Sequence, residues 1–180
     1  MPTHVAFLRG MNLGNRRIKN DELRSVFEGF GFDEVATFRA SGNVVFGAKR
    51  ADGAEGLAKQ IETGLGEELG YEVPVFLRSG AEVRKIAACR PFDPKLVEAS
   101  GGKLQVSLLH KAPSAKARRE VLALATGEDL LAIEGRELYW LPSGGLLDSE
   151  LDLKAIDALV GPDTRRTMGT IEQITAKHLA

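Results

Sequence analysis

The sequence predicts an α+β fold of two ferredoxin-like (βαββαβ-type) halves, each an antiparallel or mixed sheet backed by helices. Two observations carry this. Strand, helix, hairpin and helix follow one another over residues 4–69 and again over 104–160, read from hydrophobic periodicity and turn residues. A further strand at 73–78 completes the first copy in the β-α-β-β-α-β order. The second copy lacks a clear closing strand, and identity between the copies is slight, so the repeat is one of topology. Two helix-backed sheets, or one joined sheet, suit this pattern. The halves are read as 1–92 and 93–180, the second carrying the terminal helix, with one compact domain as the alternative.

Each element has its own signal. "HVAFLRG" is a short buried strand, and residues 10–18 form a loop. "NDELRSVFEGFGF" is a helix with Asn20 as its cap and Asp21 and Glu22 in the first turn, where the helix dipole favours them. Leu23, Val26, Phe27 and Phe30 share one face, and Gly31 ends the helix. "EVATFRASGNVVFGA" is a hairpin turning at "ASGN". Asp52 to Leu69 is a helix of good formers interrupted by Gly56, Gly64 and Gly66. "VPVFLR" is a strand whose Pro74 suggests an edge or a strand start. "GAEVRKIAAC" is a short helix broken by "RPFDP", and 93–102 is the expected boundary between halves.

In the second half, "KLQVSLLH" is a strand and "SAKARREVLALAT" a helix capped by Ser114. "EDLLAIEGRELYWLP" is a hairpin turning at Glu134–Glu137, with one of Tyr139 and Trp140 expected to face the core and the other solvent. "PSGG" opens a loop, Asp152–Val160 is a short helix, and "GPDTRRTMG" is a basic linker. Thr170 caps the last helix, with Gln173 as its box partner.

Composition narrows the function classes. Hydrophobic residues make up 43% and charged residues 27%, ordinary for a globular chain, and the net charge of −1 disfavours a dedicated nucleic-acid binder. One cysteine, Cys89, allows no intramolecular disulfide and suits a reducing cytoplasm. "HVAFL" is followed at once by Arg9 and Gly10, so no signal peptide is expected, and no apolar run reaches membrane-spanning length.

The candidate chemistry centres on "FLRGMNLGNRRIK". Gly10 and Gly14 permit positive φ or close backbone approach, and Asn12 and Asn15 offer amides. Arg9, Arg16, Arg17 and Lys19 are cations, and a helix start with free N–H groups follows. Together these suit an anion. The loop matches neither GxxxxGK[ST] nor GxGxxG, which argues against nucleotide binding by those routes. Ser41, Gly42 and Asn43 form a second candidate, although turn chemistry alone accounts for them. "DTRRTMGTIEQ" is a third, with Arg165 and Arg166 before a capped helix. Asp148, Glu150 and Asp152 lack EF-hand spacing, and Asp93 reads as a turn residue. His4, His110 and His178 form no metal motif, GxSxG is absent, and Cys89 reads as a small core residue.

The stretch from Arg9 to Phe46 resembles the family called domain of unknown function 1697. The family reads R-G-[IM]-N-[VL]-G, then a helix with a leucine, then S-G-N-[VI]-x-F. Here these are Arg9-Gly10-Met11-Asn12-Leu13-Gly14, Leu23, and Ser41-Gly42-Asn43-Val44 with Phe46. Weaker echoes follow in "RPFDP", in "GRELYWLPSGGLLDSEL" and in "TRRTMGTIEQI". Thr167 stands where the family more often has Asn, Met168 where it often has an aromatic, and Glu150 where Lys is common. Arg166 and Thr170 are kept. The resemblance implies a small α+β protein with two ferredoxin-like halves and no particular reaction.

The expected function is binding of a small anionic ligand at the Arg9–Asn15 loop: a nucleotide, a phosphorylated metabolite or, less favoured, nucleic-acid phosphate. The expected ligand residues are Arg9, Gly10, Asn12, Gly14, Asn15, Arg17, Lys19, Ser41, Gly42, Asn43, Arg166 and Thr170. No cofactor or metal is expected. The alternatives are an enzyme acting on a phosphorylated small molecule at the same loop, with Asp21, Glu22 or His4 as base, and an interaction module using exposed edge strands.

Overall fold

The computed structural model of the chain describes residues 2–11, 18–39, 42–49, 53–126, 129–142 and 151–180. Its first six elements are β1 (Thr3–Leu8), α1 (Asn20–Gly29), β2 (Asp33–Thr37), β3 (Asn43–Gly47), α2 (Gly53–Leu69) and β4 (Val75–Ser79). The sheet order is β2-β3-β1-β4 with every pair antiparallel, the ferredoxin-like arrangement. α3 (Gly80–Ala88) follows β4 directly, and α4 (Pro94–Ala99) leads into the second set. That set is β5 (Gln105–Leu109), α5 (Ala115–Ala123), β6 (Leu130–Glu134), β7 (Glu137–Leu141), α6 (Leu153–Val160) and β8 (Asp163–Thr167), closed by α7 (Met168–His178). Its sheet order, β6-β7-β5-β8, repeats the first strand for strand.

The sequence pattern explains most of this. Alternate residues of the first sheet, Ala6, Leu8, Val44, Phe46 and Leu77, join Leu23 and Phe27 of α1 and Ile61 and Leu65 of α2 in one core. Phe32 stacks on Phe46 at 4.5 Å and Phe27 packs on Phe46 at 5.6 Å. Burying each such side chain contributes about 1.5–3 kcal/mol. The intervening residues Val5, Phe7, Val45 and Phe76 are buried too, so the strands read as apolar runs rather than alternating ones. β4 lies at a sheet edge, as Pro74 suggests. β2, the other edge, carries a bulge: its register shifts between Asp33 and Ala36, and Glu34 has φ +50°.

The second unit departs from the sequence reading in several places. The segment read as a basic linker contains β8, the missing closing strand. Thr164 is buried on it, and its two arginines are drawn into the unit, so hydrophilic residues hide a strand. The expected boundary segment contains α4, because Pro94 sits in the first turn of a helix, where its missing N–H costs nothing, and Asp93 Oδ1 caps it by accepting from Lys95 N at 2.9 Å. Tyr139 and Trp140 are both buried, since both faces of this sheet are covered. Ser114 caps α5 as expected, its Oγ accepting from Ala117 N at 3.1 Å.

The chain divides into residues 1–84 with 174–180, and residues 85–173. The division falls within α3 rather than at 92/93, and the last seven residues count with the first unit. There Arg84 Nη1 donates to Leu179 O at 3.4 Å, and the His178 ring meets the Phe38 ring edge-on at 6.4 Å. Among the described residues, no helix is long and apolar enough to cross a membrane.

Candidate functional site

In the first sheet, β1 and β2 end where β3 and β4 begin. The loop after β1 and the β2–β3 turn therefore lie at the same end, which spacing alone could not establish. They also touch. Leu8 N donates to Gly42 O at 2.8 Å, and Arg9 N donates to Pro74 O at 3.0 Å. Gly42 has φ +79°, and a Cβ on it would stand 2.9 Å from Met11 Cγ and 3.0 Å from Leu8 Cβ. Only glycine meets both the conformation and the contact.

Asn43 is 1% exposed, and its Nδ2 donates to Phe38 O at 3.0 Å while Phe38 N donates to Asn43 O at 2.9 Å. Its amide thus closes the turn. Arg9 is exposed, and Gly10 takes φ +76° as its side-chain-free backbone allows. Lys19, also exposed, is the N-cap of α1, with φ −75°, ψ 152° and no side-chain cap bond. Asn20, expected as the cap, is the first helical residue: the helix begins one residue early, so its amide is past the capping position. The first-turn N–H groups of α1 therefore lack a side-chain acceptor at the cap. Asn12, Gly14, Asn15, Arg17 and Ser41 lie outside the described residues.

One cation here escaped the sequence reading. Arg39 is exposed, has φ +59°, and sets its guanidinium 5.5 Å from the Phe38 ring centroid. Its position before "ASGN" was the available signal. His4, an expected base, lies at the start of β1, opposite Ser79 and stacked on Phe46 at 5.7 Å, and not at the loop end. Its pKa is lowered by burial, against an upward pull from Glu82.

Arg166 and Thr170 belong to the second unit. Arg166 Nη1 donates to Thr164 Oγ1 at 2.8 Å and to Arg165 O at 2.9 Å, and desolvation lowers its pKa to about 10. Thr170 is inside α7, not its cap. Thr167 Oγ1 caps that helix by accepting from Thr170 N at 3.2 Å, because β8 runs straight into it. Cys89 is half-buried and borders a cavity of about 220 Å³ with Phe92 and Met168. Burial, then Cys89, pushes the Tyr139 phenol well above its ordinary pKa. Among the described residues, no three His, Cys, Asp or Glu side chains group to hold a metal.

A solved structure described as a conserved bacterial protein from Streptococcus pneumoniae is similar to this chain, with a TM-score of 0.76 and 16% identity. The match covers 98% of this chain and 99% of that one, and at such identity it speaks for the fold. No curated protein matches. The family model described as "Protein of unknown function (DUF1697)" matches residues 1–139, which contain the β1 loop and the β2–β3 turn. The chain belongs to the DUF1697 family.

Proposed function

We propose that the chain binds a small anionic ligand, a phosphorylated metabolite or nucleotide, where the loop after β1 meets the β2–β3 turn. The observation that carries this reading is the junction itself. Two glycine-bearing loops are fastened by the Leu8 N–Gly42 O bond at the end of the sheet where α1 begins. Arg9 and Lys19 supply exposed positive charge, and the first-turn N–H groups of α1 supply donors. Arg39 adds a cation at the turn. Gly42 and Asn43 build the turn, and Asn12, Gly14, Asn15, Arg17 and Ser41 complete the proposed ligand set by sequence.

The experiment is a thermal-shift panel of inorganic phosphate, sugar phosphates and nucleotides against the full chain and the double variant Arg9→Ala/Arg17→Ala. At one hundred times the dissociation constant, binding stabilises by about 2.7 kcal/mol. The wild-type chain is expected to shift with at least one anion and the double variant with none. A wild-type chain that no member of the panel stabilises would rule the reading out.

A further inference from the structure

The two units correspond residue by residue through their strand registers. In the first, Ala6 pairs with Leu77 and Val44, and His4 pairs with Phe46. In the second, Ser107 pairs with Arg165 and Leu138, and Gln105 pairs with Trp140. Ser107, Arg165 and Trp140 therefore occupy the places of Ala6, Leu77 and Phe46, which are core residues of the first unit. The first unit closes this face without an arginine, so the fold as such does not require one there.

Arg166 supplies the contrast. It corresponds to Arg78, and the two share a local bond: Arg78 Nη1 donates to Leu77 O at 3.0 Å, Arg166 Nη1 to Arg165 O at 2.9 Å. Each precedes a hydroxyl residue that caps the next helix. Ser79 Oγ accepts from Glu82 N at 3.1 Å, as Thr167 Oγ1 does from Thr170 N. An arginine repeated with the same bond in both copies belongs to the framework. Arg165 occurs in one copy only.

Arg165 is also held in place. Its Nε donates to Ser107 Oγ at 3.3 Å, and its Cζ lies 5.2 Å from the Trp140 ring centroid. Trp140 is fixed in turn, donating from Nε1 to Asp129 Oδ1 at 3.0 Å, and Thr126 Oγ1 donates to Asp129 Oδ2 at 3.0 Å. Asp163 shares the strand face of Arg165, yet among the described residues no carboxylate lies within ion-pair distance of that guanidinium. Its two terminal amino groups hold the fork geometry that suits an oxyanion. Restraint by Ser107 and Trp140 lowers the entropy lost on binding.

We propose that Arg165, anchored by Ser107 and stacked on Trp140, is an oxyanion-binding residue of the second unit that takes the carboxylate or phosphate group of a small molecule. Arg165, Ser107 and Trp140 all belong to the second unit, and Arg9 to the first.

Trp140 is the one tryptophan of the chain, so its fluorescence reports on this place. The full chain is titrated with inorganic phosphate and separately with acetate, at ionic strength held constant with chloride. A saturable change in Trp140 emission is expected with at least one, and the anion with the lower midpoint identifies the group. Arg165→Lys keeps the charge but loses the fork, and is expected to raise the midpoint about tenfold or more. Ser107→Ala is expected to raise it several-fold, and Arg9→Ala to leave it unchanged. Should Arg165→Lys fail to fold by circular dichroism, Ser107→Ala carries the test, and an unchanged midpoint there overturns the proposal. So does the absence of any saturable change, an equal response to chloride alone, or a midpoint that moves with Arg9→Ala and not with Arg165→Lys.

Discussion

Gly42 joins the two loops through its backbone and the space it leaves empty. An alanine there would hold a left-handed conformation at about 1–2 kcal/mol. Its Cβ would also press on Met11 and Leu8, and overpacking of this kind costs about 1–3 kcal/mol. Gly42→Ala is therefore expected to lose roughly 2–5 kcal/mol in denaturant unfolding. A loss well under 1 kcal/mol would mean that the turn relaxes around the methyl group. At this scale the sequence was partly legible. "SGN" reads as turn residues, and Asn43 is one, bonded back to Phe38 O. The contact that makes Gly42 irreplaceable joins residues more than thirty positions apart, so no local pattern records it. Arg165 was legible as a cation before a helix but not in its place, because only the strand register reveals that it stands where the first unit has Leu77.

Helix starts and strand ends tell a similar story one level up. α1 is preceded by Lys19 at its N-cap, whose extended φ and ψ suit a capping residue, but lysine has no acceptor to offer. Lys19→Ser is expected to stabilise the chain by about 1 kcal/mol, the usual worth of a side-chain cap, while weakening phosphate binding in the thermal-shift panel. Stabilisation with undiminished binding would separate the helix start from the ligand. Elements with apolar periodicity, such as α1, the first hairpin and the strand over Gln105–Leu109, were readable. β8 was not, because Asp, Thr and Arg fill all five of its positions and a strand whose arginines are bonded inside the unit looks like a loop. α4 was missed for a related reason: Pro94 signals a break unless Asp93 is recognised as the cap before it.

The whole molecule carries two histidines whose burial ties stability to pH. His4 is lowered from its usual value of 6.5 by burial, opposed by Glu82, and His178 by burial and then by Lys177. A folded pKa below the unfolded one means that the unfolded chain binds more protons in the interval between them. The contribution is complete above about 6.5 and is lost as pH falls through the lowered folded values. The melting temperature is expected to be lower at pH 5 than at pH 7.5, and the double variant His4→Gln/His178→Gln is expected to reduce that difference. An undiminished difference in the variant would place the acid sensitivity elsewhere. The repeat that organises the chain was legible at this scale, since strand–helix–hairpin–helix recurs in the sequence. The return of residues 174–180 to the first unit was not, because nothing local marks His178 and Leu179 as neighbours of Phe38 and Arg84.

The bulge in β2 has a bearing on self-association. A regular outer strand can template a further strand from another chain, the first step of many aggregates. β2 breaks its repeat between Asp33 and Ala36, holds Glu34 at positive φ, and keeps Asp33 and Glu34 exposed, so a foreign strand would find no even ladder there. β6, at the corresponding edge of the second sheet, pairs one for one with β7 from Leu130 to Glu134 and has no such interruption. Of these two edges, strand addition provoked by heat or high concentration is expected at β6 before β2.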